Sequence, residues 1–152
     1  TLSGRIGGLI CWEHWMPLAR QAMHIEGEQI HVAAFPTVHE THQITCRQYA
    51  FEGRCFVLAV GSIMLAEDLP DEFPRPSGTN PGSFLLRGGS CVVAPDGSYV
   101  AEPVFDKETI LTAEIDLSMI DREKMTLDVS GHYHRPDVFE FNVNRDTRRG
   151  NA

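Results

Sequence analysis

The chain predicts an α/β fold with mixed parallel and antiparallel pairing. The first sixty or so residues alternate apolar, strand-like runs with stretches of helical spacing. Strand–helix–strand–helix–strand in that order calls for parallel pairing through right-handed crossovers. The last third changes character, with short alternating runs and a tight turn that read as antiparallel strands. At 152 residues, 42% hydrophobic and 22% charged, the chain has the size and composition of one globular domain with its own core.

Residues 5–10, Arg5-Ile6-Gly7-Gly8-Leu9-Ile10, read as a short buried strand. Leu18, Ala22, Met23 and Ile25 then recur at roughly helical spacing, and Gly27 follows as a stop. Residues 30–35 are a second strand, closed by Pro36. Residues 41–53 read as a second helix with Ile44, Tyr49, Ala50 and Phe51 turned inward. The run Phe56-Val57-Leu58-Ala59-Val60 is continuously apolar, as in a strand covered on both faces.

Residues 62–88 are rich in Pro, Gly and acids, and read as a long loop within the domain, at a rim or a contact between subunits. Residues 90–94 and 99–104 flank Pro95-Asp96-Gly97-Ser98 and form a hairpin. Leu111, Ala113, Ile115 and Leu117 alternate with Thr112, Glu114 and Asp116, the pattern of a half-buried strand. A short helix is expected over 119–125, and Phe139, Phe141 and Val143 alternate as a last strand.

A net charge of −8 argues against nucleic acid as a partner, because a phosphate-binding surface needs a basic face. Arg148-Arg149 is too short a cluster to reverse that and reads as a solvated tail. No apolar stretch approaches the ~20 residues that span a bilayer, and no leader resembles a signal peptide. Cys11, Cys46, Cys55 and Cys91 form no Cys-x-x-Cys pair, so a reduced, cytoplasmic setting is the natural reading. His39 with His42, and His132 with His134, lack the further ligands of a metal site, so neither a metal nor another cofactor is expected. Gly131-His132-Tyr133-His134-Arg135-Pro136-Asp137 reads as a tight corner beside an interface, with Arg135 and Asp137 too close around a proline to pair.

The chemically informative run is Ile6-Gly7-Gly8-Leu9-Ile10-Cys11-Trp12-Glu13-His14, followed by the helical stretch from Met16. A strand-to-helix corner is where α/β enzymes present a nucleophile, and a nearby helix N-terminus favours thiolate over thiol. The competing reading of Cys11 is a buried core thiol, since free Cys is among the most buried residue types. Cys46, Cys55 and Cys91 sit in apolar segments and read as core thiols.

Gly-Gly-Leu-Ile-Cys-Trp-Glu-His followed by Met-Pro-Leu resembles the nucleophile segment of nitrilases, within the carbon–nitrogen hydrolase superfamily. Further similar segments follow in the family's order: Gln29 to Thr37, Ala50 to Leu58, Gly88 to Gly97, and Gly131 to Phe139. The resemblance implies the C-terminal half of a four-layer α-β-β-α sandwich, with about seven strands shared between its two sheets. It also implies that a preceding portion supplies a glutamate general base and a lysine. The chain opens at Thr1-Leu2-Ser3-Gly4-Arg5 without an initiator methionine, as a fragment would. Alone it is expected to be inactive and poorly soluble, because a cut sheet leaves open edges.

The resemblance makes Cys11 the catalytic nucleophile toward a small-molecule nitrile, in an enzyme that forms homo-oligomers. Trp12 is a pocket or core aromatic, and its backbone N–H is a donor to developing negative charge. Glu13 is read first as structural, bonded to loop amides, and stands with Trp12, Pro36 and Thr37 as a substrate-binding or pocket candidate. Pro36 and Thr37 stand at a strand end of the kind that borders α/β active sites. Cyanide hydratase or amide-forming chemistry is the near alternative, and a non-catalytic assembly module the distant one. A cysteine peptidase is remote, since no papain or caspase signature surrounds Cys11.

Overall fold

Residues 4–144 are described in a computed structural model of the chain. The chain enters through β1 (Ile6–Ile10), α1 (Pro17–Ile25), β2 (Ile30–Phe35), α2 (Glu40–Gly53) and β3 (Phe56–Gly61), the expected alternation. The three strands lie side by side and parallel, Ile6 opposite Ile30 and Ile30 opposite Phe56. Pro17 opens α1, where a missing N–H costs nothing, and Gly27 at φ +70° ends it. Three antiparallel strands follow: β4 (Ile63–Leu65), β5 (Phe84–Val93) and β6 (Tyr99–Phe105), and then α3 (Ser118–Lys124). The sheet order is β1-β2-β3-β5-β4, with β6 on the other edge of β5.

Alternation along the strands sorts the core. Leu9, Ala33, Phe35, Val57, Ala59, Cys91 and Val93 share the face that packs with Met23 of α1 and with Cys46, Tyr49 and Ala50 of α2. On the opposite face Phe56 is covered by Ala94 and Ile120, with Ile115, Leu117 and Met119 beside them. Elsewhere on that face Ile6, at the β1 edge, and Ile10 and Val60, toward the other end of the strands, are 61%, 68% and 49% exposed.

Arg54 ties these layers together. It stands at φ +49° just past α2, is buried, and donates to the carbonyls of Pro95 (3.0 Å) and Leu127 (3.2 Å). Its guanidinium lies 4.1 Å from the centre of the Phe51 ring. One side chain thus joins the end of α2, the β5–β6 turn and the stretch after α3.

Several expectations are corrected. The loop expected over 62–88 contains β4, a 3-10 turn (Ala66–Asp68) and the start of β5, which leaves 69–83 irregular. Residues 111–117 and 139–143 form no strand. Alternation specifies one-sided burial, and Ile115 and Leu117 obtain it by lying over Phe56 without a ladder partner. Phe139 and Val143 stay exposed. Ile44 and Phe51 face outward, because α2 buries the stripe Thr45, Cys46, Tyr49 and Ala50, chosen by fit to the sheet more than by hydropathy. The described residues build one six-stranded sheet, not about seven strands in two sheets. Arg135 and Asp137 do pair, at 2.8 and 2.6 Å. The Arg148-Arg149 pair lies outside the described residues.

Candidate active site

β1 delivers Cys11 to the C-terminal edge of the parallel strands, one residue beyond the Ile10–Ala34 pair. The chain reverses there through a 3-10 turn (Cys11–Trp15), and Cys11 itself adopts φ +49°. A side chain with a Cβ is rarely held in that left-handed region, at a cost of about 1–3 kcal/mol, unless its surroundings enforce it. The expected corner is present, with one change. The helical N-terminus beside the thiol is that of the short turn, and α1 begins only at Pro17.

Cys11 is half-buried, whereas Cys46, Cys55 and Cys91 are buried. Burial pushes the Cys91 thiol up to about 12 and raises those of Cys46 and Cys55 as well. These three are core thiols, and Cys11 is the cysteine that solvent or a ligand reaches.

Side chains clamp the turn at successive backbone groups. Glu13 Oε2 accepts the Ile10 N–H at 2.7 Å. His14 Nδ1 lies 2.8 Å from the Cys11 carbonyl oxygen and donates to it, because a carbonyl can only accept. Arg20 donates to the His14 carbonyl at 3.2 Å.

Behind the turn lies a buried polar cluster that the sequence reading missed. His14 and His31 are fully buried and their Nε2 atoms are 3.1 Å apart. His31 Nδ1 is 2.8 Å from Glu28 Oε2, and the Tyr49 hydroxyl donates to Glu28 Oε1. The Tyr49 ring stacks on His31 with centroids 3.9 Å apart. Burial, joined by the Glu28 carboxylate, pushes the Tyr49 phenol up, so it stays a donor. A second branch runs through His24, 3.8 Å from Glu28 and 3.5 Å from Glu52, to Arg20. Burial favours a protonated Glu52, but His24, the Arg20 guanidinium and Gln48 outweigh it and hold its carboxyl at about 2.

Glycines make room for this cluster. A Cβ on Gly7 would collide with the Glu28 carboxylate, and one on Gly53 with the His24 ring. A Glu and three His dispersed over residues 14–31 around an apolar strand, with glycines opposite, was the available signal.

The remaining candidates divide. Trp12 is 70% exposed and stands 5.2 Å from Trp15, in an aromatic group with His42 and Phe35. Burial lowers the pKa of His42, and His39 beside it lowers it further. Pro36 is exposed at the end of β2, next in line along the strand edge. Thr37 is buried, and its hydroxyl accepts the Arg87 N–H at 3.1 Å, so it joins the end of β2 to β5. Tyr133, His134 and Arg135 border a cleft of about 460 Å³ against Pro17 and Leu18 of α1. No helix among the described residues is long and apolar enough to cross a membrane.

Residues 1–124 match the family model described as carbon–nitrogen hydrolase. The chain is 39% identical over 145 residues to an aliphatic nitrilase of Sinorhizobium fredii, covering 95% of this chain and 47% of that protein. It is 38% identical to a bifunctional nitrilase/nitrile hydratase of Nicotiana tabacum, covering 94% and 42% respectively. The chain therefore spans about half the length of the curated relatives it matches. The fold resembles the crystal structure of a carbon–nitrogen hydrolase from Helicobacter pylori, with TM-score 0.66 and 24% identity, over 93% of this chain and 51% of that one.

Proposed function

Because this chain belongs to the carbon–nitrogen hydrolase family, we propose that Cys11 is the nucleophile of a nitrilase that converts a nitrile to a carboxylic acid and ammonia. The observation that carries the reading is the half-buried thiol on a left-handed residue at the end of β1, in a chain matched nearly end to end by an aliphatic nitrilase.

The Cys11 thiolate attacks the nitrile carbon, and one π pair of the C≡N bond takes a proton at nitrogen to give a thioimidate. Water adds to the C=N bond, the nitrogen leaves as ammonia, and a thioester remains on sulfur. A second water releases the acid and restores the thiol. Covalent catalysis of this kind replaces one difficult step with several easier ones. The first N–H groups of a helical turn lack partners within it, so the Trp12 amide is a suitable donor to the charge that develops on nitrogen.

The general base and the charge-stabilising lysine come from a part of the protein outside this chain. Glu13 is engaged by the Ile10 amide and is not the base. A second sheet packs over Ile6, Ile10 and Val60 to complete a four-layer sandwich. Outward Leu18, Ile44 and Phe51 on α1 and α2 suit a contact between copies in a homo-oligomer. Trp12 and Pro36 border the nitrile pocket.

The bifunctional relative supports a second outcome at the same cysteine, in which the tetrahedral intermediate expels the thiol and leaves an amide. In the intact enzyme, Cys11→Ala is expected to lower kcat by about 10⁴-fold or more. Unchanged turnover would refute the nucleophile and favour an assembly role. Quantifying acid against amide in the wild-type product separates the two chemistries.

A further inference from the structure

We propose that the buried chain Tyr49–Glu28–His31–His14 positions Cys11, by gripping the Cys11 carbonyl and holding that residue in its left-handed conformation. The inference rests on the reading of Cys11 as the nucleophile.

The direction of each link follows from what each atom can do. The Cys11 carbonyl accepts, so His14 Nδ1 carries a hydrogen. Burial lowers the pKa of His14, against the carbonyl bond that raises it, and leaves His14 neutral with a lone pair on Nε2. His31 Nε2, 3.1 Å away, must then donate. His31 Nδ1 faces Glu28 Oε2 at 2.8 Å, and one proton sits between them whichever atom holds it. Tyr49 donates to the other Glu28 oxygen, so every member of the chain has a partner.

Such a chain is weak evidence of a role in stability. Burying charged and polar groups costs several kcal/mol, and apolar residues of the same volume often serve as well or better. What it provides is a fixed geometry. His14, His31 and Tyr49 are 0% exposed and Glu28 5%, so each ring has one place to go. The His14 ring then sets the Cys11 carbonyl, which sets the peptide plane between Cys11 and Trp12. That plane carries both the left-handed turn and the Trp12 N–H. Glu13 and Arg20 hold the Ile10 amide and the His14 carbonyl of the turn, His24 flanks Glu28 with Glu52 behind it, and His42 stands against Trp12 and Trp15.

The test is made on the intact enzyme with His31→Phe, which keeps a ring on Tyr49 but cuts the chain. Misplacing a reacting atom by an ångström costs up to about 10²-fold, so kcat is expected to fall at least about tenfold with KM within about twofold. Alkylation of Cys11 by iodoacetamide, followed by peptide mass spectrometry, is expected to change by a similar factor. Glu28→Gln can still donate to His31 and accept from Tyr49, so it is expected to keep at least about a third of both rates. Should His31→Phe not fold, Tyr49→Phe removes only the terminal hydroxyl and carries the same test, with an expected loss of about threefold. A folded His31→Phe enzyme with wild-type kcat and wild-type Cys11 alkylation overturns the proposal. So does a Glu28→Gln enzyme impaired as severely as His31→Phe. If Cys11→Ala retained turnover, the nucleophile reading would fail separately, and the alkylation rate would still report whether the chain positions the thiol.

Discussion

Replacing Gly7 with alanine drives a methyl group into the one place where β1 must be bare. Gly7 pairs with His31 across the sheet, and the new Cβ would meet the Glu28 carboxylate, with Met23 Cε at 2.5 Å. Met23 ends in a flexible chain and can move. Glu28 cannot, because His31 holds one oxygen at 2.8 Å and Tyr49 holds the other. Overpacking costs about 1–3 kcal/mol, and a displaced carboxylate forfeits a charged hydrogen bond of about 1.5–3 kcal/mol. Removing a strand glycine returns about 0.5–1 kcal/mol, so the net loss is about 2–5 kcal/mol. Thermal melts of the intact protein should fall by roughly 5–15 °C. The informative assay is a cycle with Glu28→Ala, which removes the obstacle. The two changes together should cost about 1–3 kcal/mol less than the sum of each alone. Strict additivity, or a Gly7→Ala protein that melts with the wild type, would refute the close approach and the pinned carboxylate with it.

Stability should depend on pH through two groups with separate windows. His14 has a lowered pKa in the fold, so the unfolded chain takes up the proton first and stability declines as pH drops below about 6.5. Glu52 is held at about 2 against 4.5 ordinarily, so its contribution is complete above about 4.5 and is lost as pH falls toward 2. The difference in melting temperature between wild type and Glu52→Gln should therefore shrink across that lower window, and a constant difference would contradict the assignment. Arg54→Met should destabilise by about 2–4 kcal/mol, since it leaves the Pro95 and Leu127 carbonyls without their charged donor. Arg54→Lys should recover little, because one ammonium cannot reproduce the planar fork, and full recovery in a thermal melt would count against the pin.

The parallel half was legible because its signals are local. Ile30 to Phe35 is apolar and β-rich with Pro36 at its end, Gly27 stops α1, and Pro95-Asp96-Gly97-Ser98 marks the β5–β6 turn. Cys11 was legible as a corner residue, although the intervening 3-10 turn was not, since nothing in Trp12-Glu13-His14 separates it from the start of a helix. The stretch 111–117 misled because alternation records which side is buried, not whether a neighbouring backbone exists to pair with. Ile44 and Phe51 misled because hydropathy was read as inwardness on a helix whose buried stripe includes Thr45. The polar cluster stayed hidden for a different reason. His14, His24, Glu28, His31 and the α2 pair Tyr49 and Glu52 come from five separate stretches, and only the packing of α1 and α2 on β2 brings them together.

The central claim is a covalent bond between Cys11 sulfur and a nitrile carbon. Rapid acid quenching of the intact enzyme during turnover, followed by peptide mass spectrometry, tests it most directly. The account expects the peptide containing Cys11, and not those containing Cys46, Cys55 or Cys91, to gain the mass of the substrate as thioimidate or its acyl group as thioester. An active enzyme whose adduct lies on another residue, or whose Cys11 peptide stays unmodified under conditions that trap the intermediate, would contradict it.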